Sequence, residues 1–106
     1  MTTLDERERE FEARFSHDQE LAFKVRSRRD KLFGLWAARQ LGLSGEAAEA
    51  YARDVVAAEF GAPRGRGVLA KVSADFAAKG VGIDEARIAD ELQRLGEEAR
   101  RQVERE

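Results

Sequence analysis

The one histidine of the chain, His17, stands three residues before Glu20 in SHDQE, a spacing at which two side chains of a helix can reach one ligand. A metal site inside a helical bundle needs further carboxylate or imidazole ligands from the facing helices. The other apolar stripes carry none, so His17 reads as a surface histidine and no metal is expected. With no cysteine there is no thiolate nucleophile, no disulfide framework and no cysteine metal site. The run Gly65-Arg66-Gly67-Val68-Leu69-Ala70 fits G-x-G-x-x-A, which holds a pyrophosphate only where it follows a strand and opens a helix. Here YARDVVAAEF (51–60) precedes it and reads as a helix, so a flexible helix connection is the plainer reading. An anion drawn to the next helix N-terminus beside Arg64 and Arg66 is the residual one. Lys24, Arg26, Arg28, Arg29 and Lys31 form a basic cluster with Asp30 its only acid. Such side chains either snorkel from packed stems or meet acidic groups on a partner. No aromatic residues interleave with them as stacking platforms and the net charge is −2, so nucleic acid is not the expected partner. Nothing here assembles a nucleophile, a base and an orienting group. The chain reads as a non-enzyme without a cofactor.

These side chains must be positioned by helices. The 106 residues suffice for one domain with one modest core. The composition is 42% hydrophobic and 38% charged, with one proline, many alanines and few β-branched residues, which favours helix. The apolar period is close to 3.6 almost throughout. A first long helix is predicted to end near Leu41, with Gly42 as its C-terminal cap, Leu21, Val25, Leu32 and Trp36 on one face, and Phe33 and Leu35 flanking it. Ser44 is placed to cap a second helix whose stripe is Ala48, Tyr51, Ala52 and Val55, ending near Phe60. After the loop GAPRGRG (61–67), Leu69, Val72 and Phe76 mark a third helix, broken by Gly80 and Gly82. Asp84 caps a fourth, with Ile88, Leu92, Leu95, Ala99 and Val103 on its stripe and Arg100, Arg101 and Arg105 near its C-terminus. The fold class is all-α, a four-helix bundle over residues 20–106. No apolar run approaches the ~20 residues of a membrane span, and the acidic start of the chain is unlike a secretion signal.

Residues 1–19 are different. In LDEREREFEARF (4–15) the large apolar residues are only Leu4, Phe11 and Phe15. Thr3 and Glu6 have capping-box spacing, and Asp5–Arg9 and Glu10–Arg14 are i, i+4 pairs worth roughly 0.2–0.5 kcal/mol each. Burial of the three apolar side chains would contribute roughly 1.5–3 kcal/mol apiece, against about 1–2 kcal/mol per residue for ordering the backbone. Such a segment is expected to be mobile, disordered or fraying when free and helical against a partner. The alternative is a further stripe packed on its own bundle.

Three stretches carry a family resemblance: REFEARFSHDQELAFK (9–24), RRDKLFGLWAARQLG (28–42) and AYARDVVAAEF (50–60). They resemble the zeta-subunit family of alpha-proteobacterial F1-ATPase inhibitors. The likeness is strongest in FE-x-x-F and RR-x-KL-x-GLWAA and weaker after Gly61. Leu4 stands where the family pattern has Phe, and Asp30 where it has Asn. The resemblance implies a small four-helix protein whose N-terminal segment turns helical as it enters a catalytic interface between the α and β subunits of F1, beside the rotating γ subunit. There it acts as a wedge against rotation in the hydrolytic direction, a role analogous to that of the mitochondrial inhibitor protein. Carried over to this chain, the inhibitory residues are Leu4, Asp5, Arg7, Glu8, Arg9, Phe11, Glu12, Arg14 and Phe15. Lys24, Arg26, Arg28 and Arg29 are candidate docking residues of the bundle. The resemblance further implies a cytoplasmic protein held at the inner membrane through F1, not inserted in the bilayer, and monomeric when free. Two other readings of the residues stay open: a helical adaptor of a different complex, and a nucleotide- or nucleic-acid-binding regulator using residues 24–31.

Overall fold

In the computed structural model of the chain, four helices follow one another: α1 (Thr3–Gln40), α2 (Gly45–Ala58), α3 (Arg66–Lys79) and α4 (Glu85–Glu104). The structure describes residues 3–62 and 64–106, with side chains from Asp5 onward. The described residues contain no strand, and the chain is an all-α four-helix bundle, as the apolar period predicts.

The helix ends have local causes. At the end of α1, Gly42 adopts φ +81°, and Leu43 N–H donates to the Ala38 carbonyl (2.9 Å), the 6→1 bond of a Schellman turn. Gly80 repeats this after α3, with φ +72° and Val81 N–H on the Phe76 carbonyl (2.9 Å). Asp84 caps α4 as expected: its carboxylate accepts from Arg87 N–H at 2.8 Å. Ser44 occupies the N-cap position of α2 with extended backbone, but its hydroxyl makes no capping bond.

The core is built from Phe33, Trp36 and Ala37 of α1, Val55 of α2, Val68, Val72 and Phe76 of α3, and Ile88 and Leu95 of α4. Trp36 is central: its ring lies 5.8 Å from that of Phe33 and 5.7 Å from that of Phe76. The buried face of α1 is therefore rotated from the one read from the sequence. Phe33 is fully buried rather than flanking, whereas Leu21 is 41% exposed. The reason is where cover begins. α2 and α4 supply most of the packing on α1, and both lie toward its C-terminal half.

Two close approaches fix the helix spacing. A Cβ at Gly34 of α1 would sit 2.7 Å from the Ala52 Cα, so α1 and α2 meet backbone to backbone. This is the approach that the alanine stripe of α2 permits. A Cβ at Gly67 would sit 2.8 Å from the Ala58 carbonyl carbon and closer still to its oxygen, which sets the start of α3 against the end of α2. α4 runs antiparallel to α1. Near its N-terminus the Arg87 guanidinium lies over the Trp36 ring (5.9 Å). At its C-terminal end Gln102 accepts from Arg28 (2.9 Å), and Glu106 pairs with Arg28 and with Lys24 (2.6 Å).

Candidate partner-binding arm

No Gly or Pro interrupts the chain between Thr3 and Phe33, and Asp5 and Glu6 lie in the first turn, where the helix dipole favours acids. α1 accordingly runs without a break from the N-terminal segment into the bundle. Side-chain cover, in contrast, is lost: every described side chain from Asp5 to Leu21 is exposed. Phe11 and Phe15 are 70% and 57% exposed, with their rings stacked on each other at 6.4 Å and 16°. They are not a further stripe of the bundle's own core. Of the predicted site residues, Asp5, Arg7, Glu8, Arg9, Phe11, Glu12, Arg14 and Phe15 thus share one exposed helical arm. The Leu4 side chain, and with it the Thr3 cap, lies outside the described residues. Neither Asp5–Arg9 nor Glu10–Arg14 closes into an ion pair, so these spacings add no contact to the helix.

The arm is in phase with the core. At about 100° per residue, Phe11, Phe15, Ala22, Val25, Phe33 and Trp36 fall within an arc of about 80°. The face that buries Phe33 and Trp36 is the face that exposes the phenylalanine pair. At the root of the arm this face opens into a groove of about 760 Å³, lined by His17, Asp18, Leu21, Ala22 and Val25 of α1, by Arg100, Val103 and Glu104 of α4, and by Glu106 beyond its end. Two further aromatic residues are exposed, and neither was singled out from the sequence. Phe23 is 62% exposed, because it lies about 100° round the helix from the phenylalanine pair. Phe60, just past the end of α2, is 83% exposed. A helical wheel finds the first, whereas the second needs the loop geometry.

The basic cluster is largely engaged within the chain. Lys24 and Arg28 are held by Glu106, and Arg28 also by Gln102. Arg29 donates to Asp30 (2.8 Å) and to Glu59 (3.1 Å), while its stem packs beneath the position of Gly96. Arg26 stays exposed and has no ion pair among the described residues. Asp30 is buried, and burial pushes its carboxyl above the usual range against the opposing pull of Arg29. Glu91 is equally buried but moves the other way: hydrogen bonds from Arg94 first, then Arg87, hold its carboxyl below the usual range against its desolvation. Two cations pair with Glu91, whereas Asp30, for which desolvation is the largest effect, shares Arg29 with Glu59, whose charge pushes the Asp30 carboxyl further up.

The GRGVLA run opens α3 after a helix and a turn, with no strand before it. Gly65 N–H donates to the Glu59 carboxylate at 2.5 Å, so a side chain of this protein already occupies the approach to that N-terminus. Its second glycine is there for the contact with Ala58 and not for a phosphate. No cluster of three or more His, Asp or Glu suited to a metal occurs among the described residues. No described helix is long and apolar enough to cross a membrane.

The arm and the bundle were compared with known proteins as one chain. The family model described as ATPase inhibitor subunit zeta matches residues 1–102, and the chain belongs to that family. None of the curated proteins matches it.

Proposed function

We propose, from this membership, that the protein inhibits ATP hydrolysis by the F1 sector of ATP synthase, inserting the arm of α1 at a catalytic interface between the α and β subunits beside γ. The observation that carries the proposal is the stacked Phe11–Phe15 pair, exposed on an uninterrupted helix and in phase with a buried face. Two rings of that size bury a large apolar area when a wall is supplied, and water is a poor substitute for one. Leu4 would extend the same stripe. Asp5, Arg7, Glu8, Arg9, Glu12 and Arg14, free of the bundle's ion pairs, would set orientation against the charges of the interface more than raw affinity.

The bundle would seat outside the interface and raise the local concentration of the arm. Of the docking candidates, Arg26 is the cation still open to a partner; Lys24, Arg28 and Arg29 would have to exchange intramolecular acids for foreign ones. That engagement also weighs against a nucleotide or nucleic acid reading of residues 24–31. The protein would be a cytoplasmic monomer when free, peripheral to the inner membrane through F1.

Removal of residues 1–19 tests this. The shortened protein is expected to keep the helical circular dichroism and cooperative melting of the bundle and to lose inhibition of F1 hydrolysis. Full inhibition by the shortened protein would refute the arm mechanism.

A further inference from the structure

One cluster of buried charge takes no part in the arm and sits where α1, the end of α2 and the start of α3 meet. Asp30 and Glu59 are held by the same guanidinium, that of Arg29. Asp30 accepts from Nε (2.8 Å) and Glu59 from Nη2 (3.1 Å), adjacent nitrogens of one planar group, so the two carboxyl groups are themselves neighbours. Asp30 is 3% exposed. Glu59 Oε2 also accepts from Gly65 N–H at the foot of α3 (2.5 Å). Its other oxygen, Oε1, is buried and has no hydrogen-bond partner, the single such side-chain atom among the described residues. Two ionised carboxylates on one cation leave an excess negative charge out of water, which is unfavourable. The other charges nearby do not relieve it. Arg26 of α1 is exposed and acts on Asp30 least of its neighbours. Glu97 and Arg100 of α4 line a groove with Arg29 and offset each other in sign, and Arg64 and Arg66 beside Gly65 are exposed.

We propose that a proton bridges Asp30 and Glu59 as a pH-sensitive latch: the neutral Asp30 carboxyl donates its O–H to Glu59 Oε1, and Glu59 in turn holds Arg29 and Gly65. The bridge gives the orphaned oxygen a donor and leaves one negative charge facing one guanidinium. Asp30 is the member that takes the proton, because burial favours its neutral form and the charge of Glu59 acts in the same direction. Glu59 is the acceptor, because Arg29 and Gly65 N–H both donate to its Oε2. The sign follows from the raised carboxyl of Asp30. The bridge is complete in acid and is lost as pH rises through the raised value, when the proton passes to water and two carboxylates repel across a shared cation. The element that then loosens is the connection from α2 to α3. Arg64 there holds φ +69°, a conformation that a residue with a side chain keeps only where its surroundings impose it. Glu59 ties that connection back to α1, so the latch tightens the bundle that carries the arm and leaves the arm itself unaltered.

Full-length Asp30→Asn and Glu59→Gln test this beside the unaltered chain. An amide at either position supplies an N–H for the bridge with no proton to lose. Thermal unfolding is followed by circular dichroism at about pH 5 and about pH 8. The unaltered protein is expected to lose several degrees more than either variant between the two, and the double variant to behave as the singles do. Carbon-13 NMR of the carboxyl groups locates the proton. The Asp30 and Glu59 carboxyl carbons are expected to shift together in one step above the ordinary carboxylate range, and Glu59 is expected to lose that step in Asp30→Asn. Over the same step, protection of the Gly65 amide from hydrogen exchange should fall severalfold in the unaltered protein and stay level in Asp30→Asn. A pH dependence that Asp30→Asn removes but Glu59→Gln leaves intact would overturn the inference, since Asp30 would then titrate alone. So would a Glu59 carbon that follows the same course with and without Asp30→Asn, a result that needs no Glu59 variant to fold.

Discussion

Phe11→Ala with Phe15→Ala separates a wedge from a core residue. A fully buried phenylalanine contributes roughly 1.5–3 kcal/mol relative to an exposed one. In the free protein 70% of Phe11 and 57% of Phe15 face water, so only the smaller covered fraction contributes to the fold. The cost to stability is expected to be under about 1 kcal/mol for each ring, where truncation of the buried Phe33 would cost about 3–5 kcal/mol. For a domain of this size, about 1 kcal/mol corresponds to 4–8 °C in melting temperature, so the double variant, losing about 1–2 kcal/mol in all, should melt about 4–16 °C below the unaltered protein, a smaller fall than that of Phe33→Ala alone. Covering the exposed fractions against a partner is worth about 2–4 kcal/mol for the pair, which converts to a roughly 30- to 800-fold loss of inhibition. Two measurements check this: thermal unfolding followed by circular dichroism, and titration of F1 hydrolysis with each protein. A fall in melting temperature as large as that of Phe33→Ala would show that the rings belong to the protein's own core. Unchanged inhibition would show that the pair is not the wedge.

Gly67→Ala is expected to destabilise the fold by about 3 kcal/mol or more, read as a lowered melting temperature, because the new methyl group meets the Ala58 carbonyl and backbone must move. For Asp30→Asn the expected effect depends on pH. The folded-state carboxyl of Asp30 is raised, so stability tied to its neutral form is fully present below the usual value of 3.8 and is lost as pH rises through the raised value. The amide cannot ionise. The variant should therefore match or exceed the melting temperature of the unaltered protein near neutrality, and that difference should shrink as the buffer is taken toward about pH 4.

How far the sequence carried these conclusions varies by element. The four helices follow from a strong apolar period and from glycines placed where a turn needs positive φ, as Gly42 and Gly80 show. The cap of α4 was legible because Asp84 precedes an apolar run, yet Ser44, the same signal, supplies position without a bond. The face of α1 was misjudged at Leu21 and Phe33. Periodicity gives the direction of a stripe but not where along a helix its cover starts, and that depends on the lengths of α2 and α4. Gly34 and Gly67 carried no readable signal either. A glycine inside a helix looks like a mild propensity cost until the neighbouring backbone is in place. The phenylalanine pair was legible as anomalous, because too few apolar residues accompany it to make a wall.

The unbroken course of α1 makes the molecule a lever. From Lys24, where the bundle takes hold, to Asp5 is about 28 Å of helix at 1.5 Å per residue. No glycine or proline along that length supplies a hinge. While the arm is helical, a tilt of the bundle by about 10° would carry its tip about 5 Å, close to one helical turn. Seating error at one end is thus converted into register error at the other. The surface on which the bundle rests would then decide where the aromatic pair lands, although it never touches that pair.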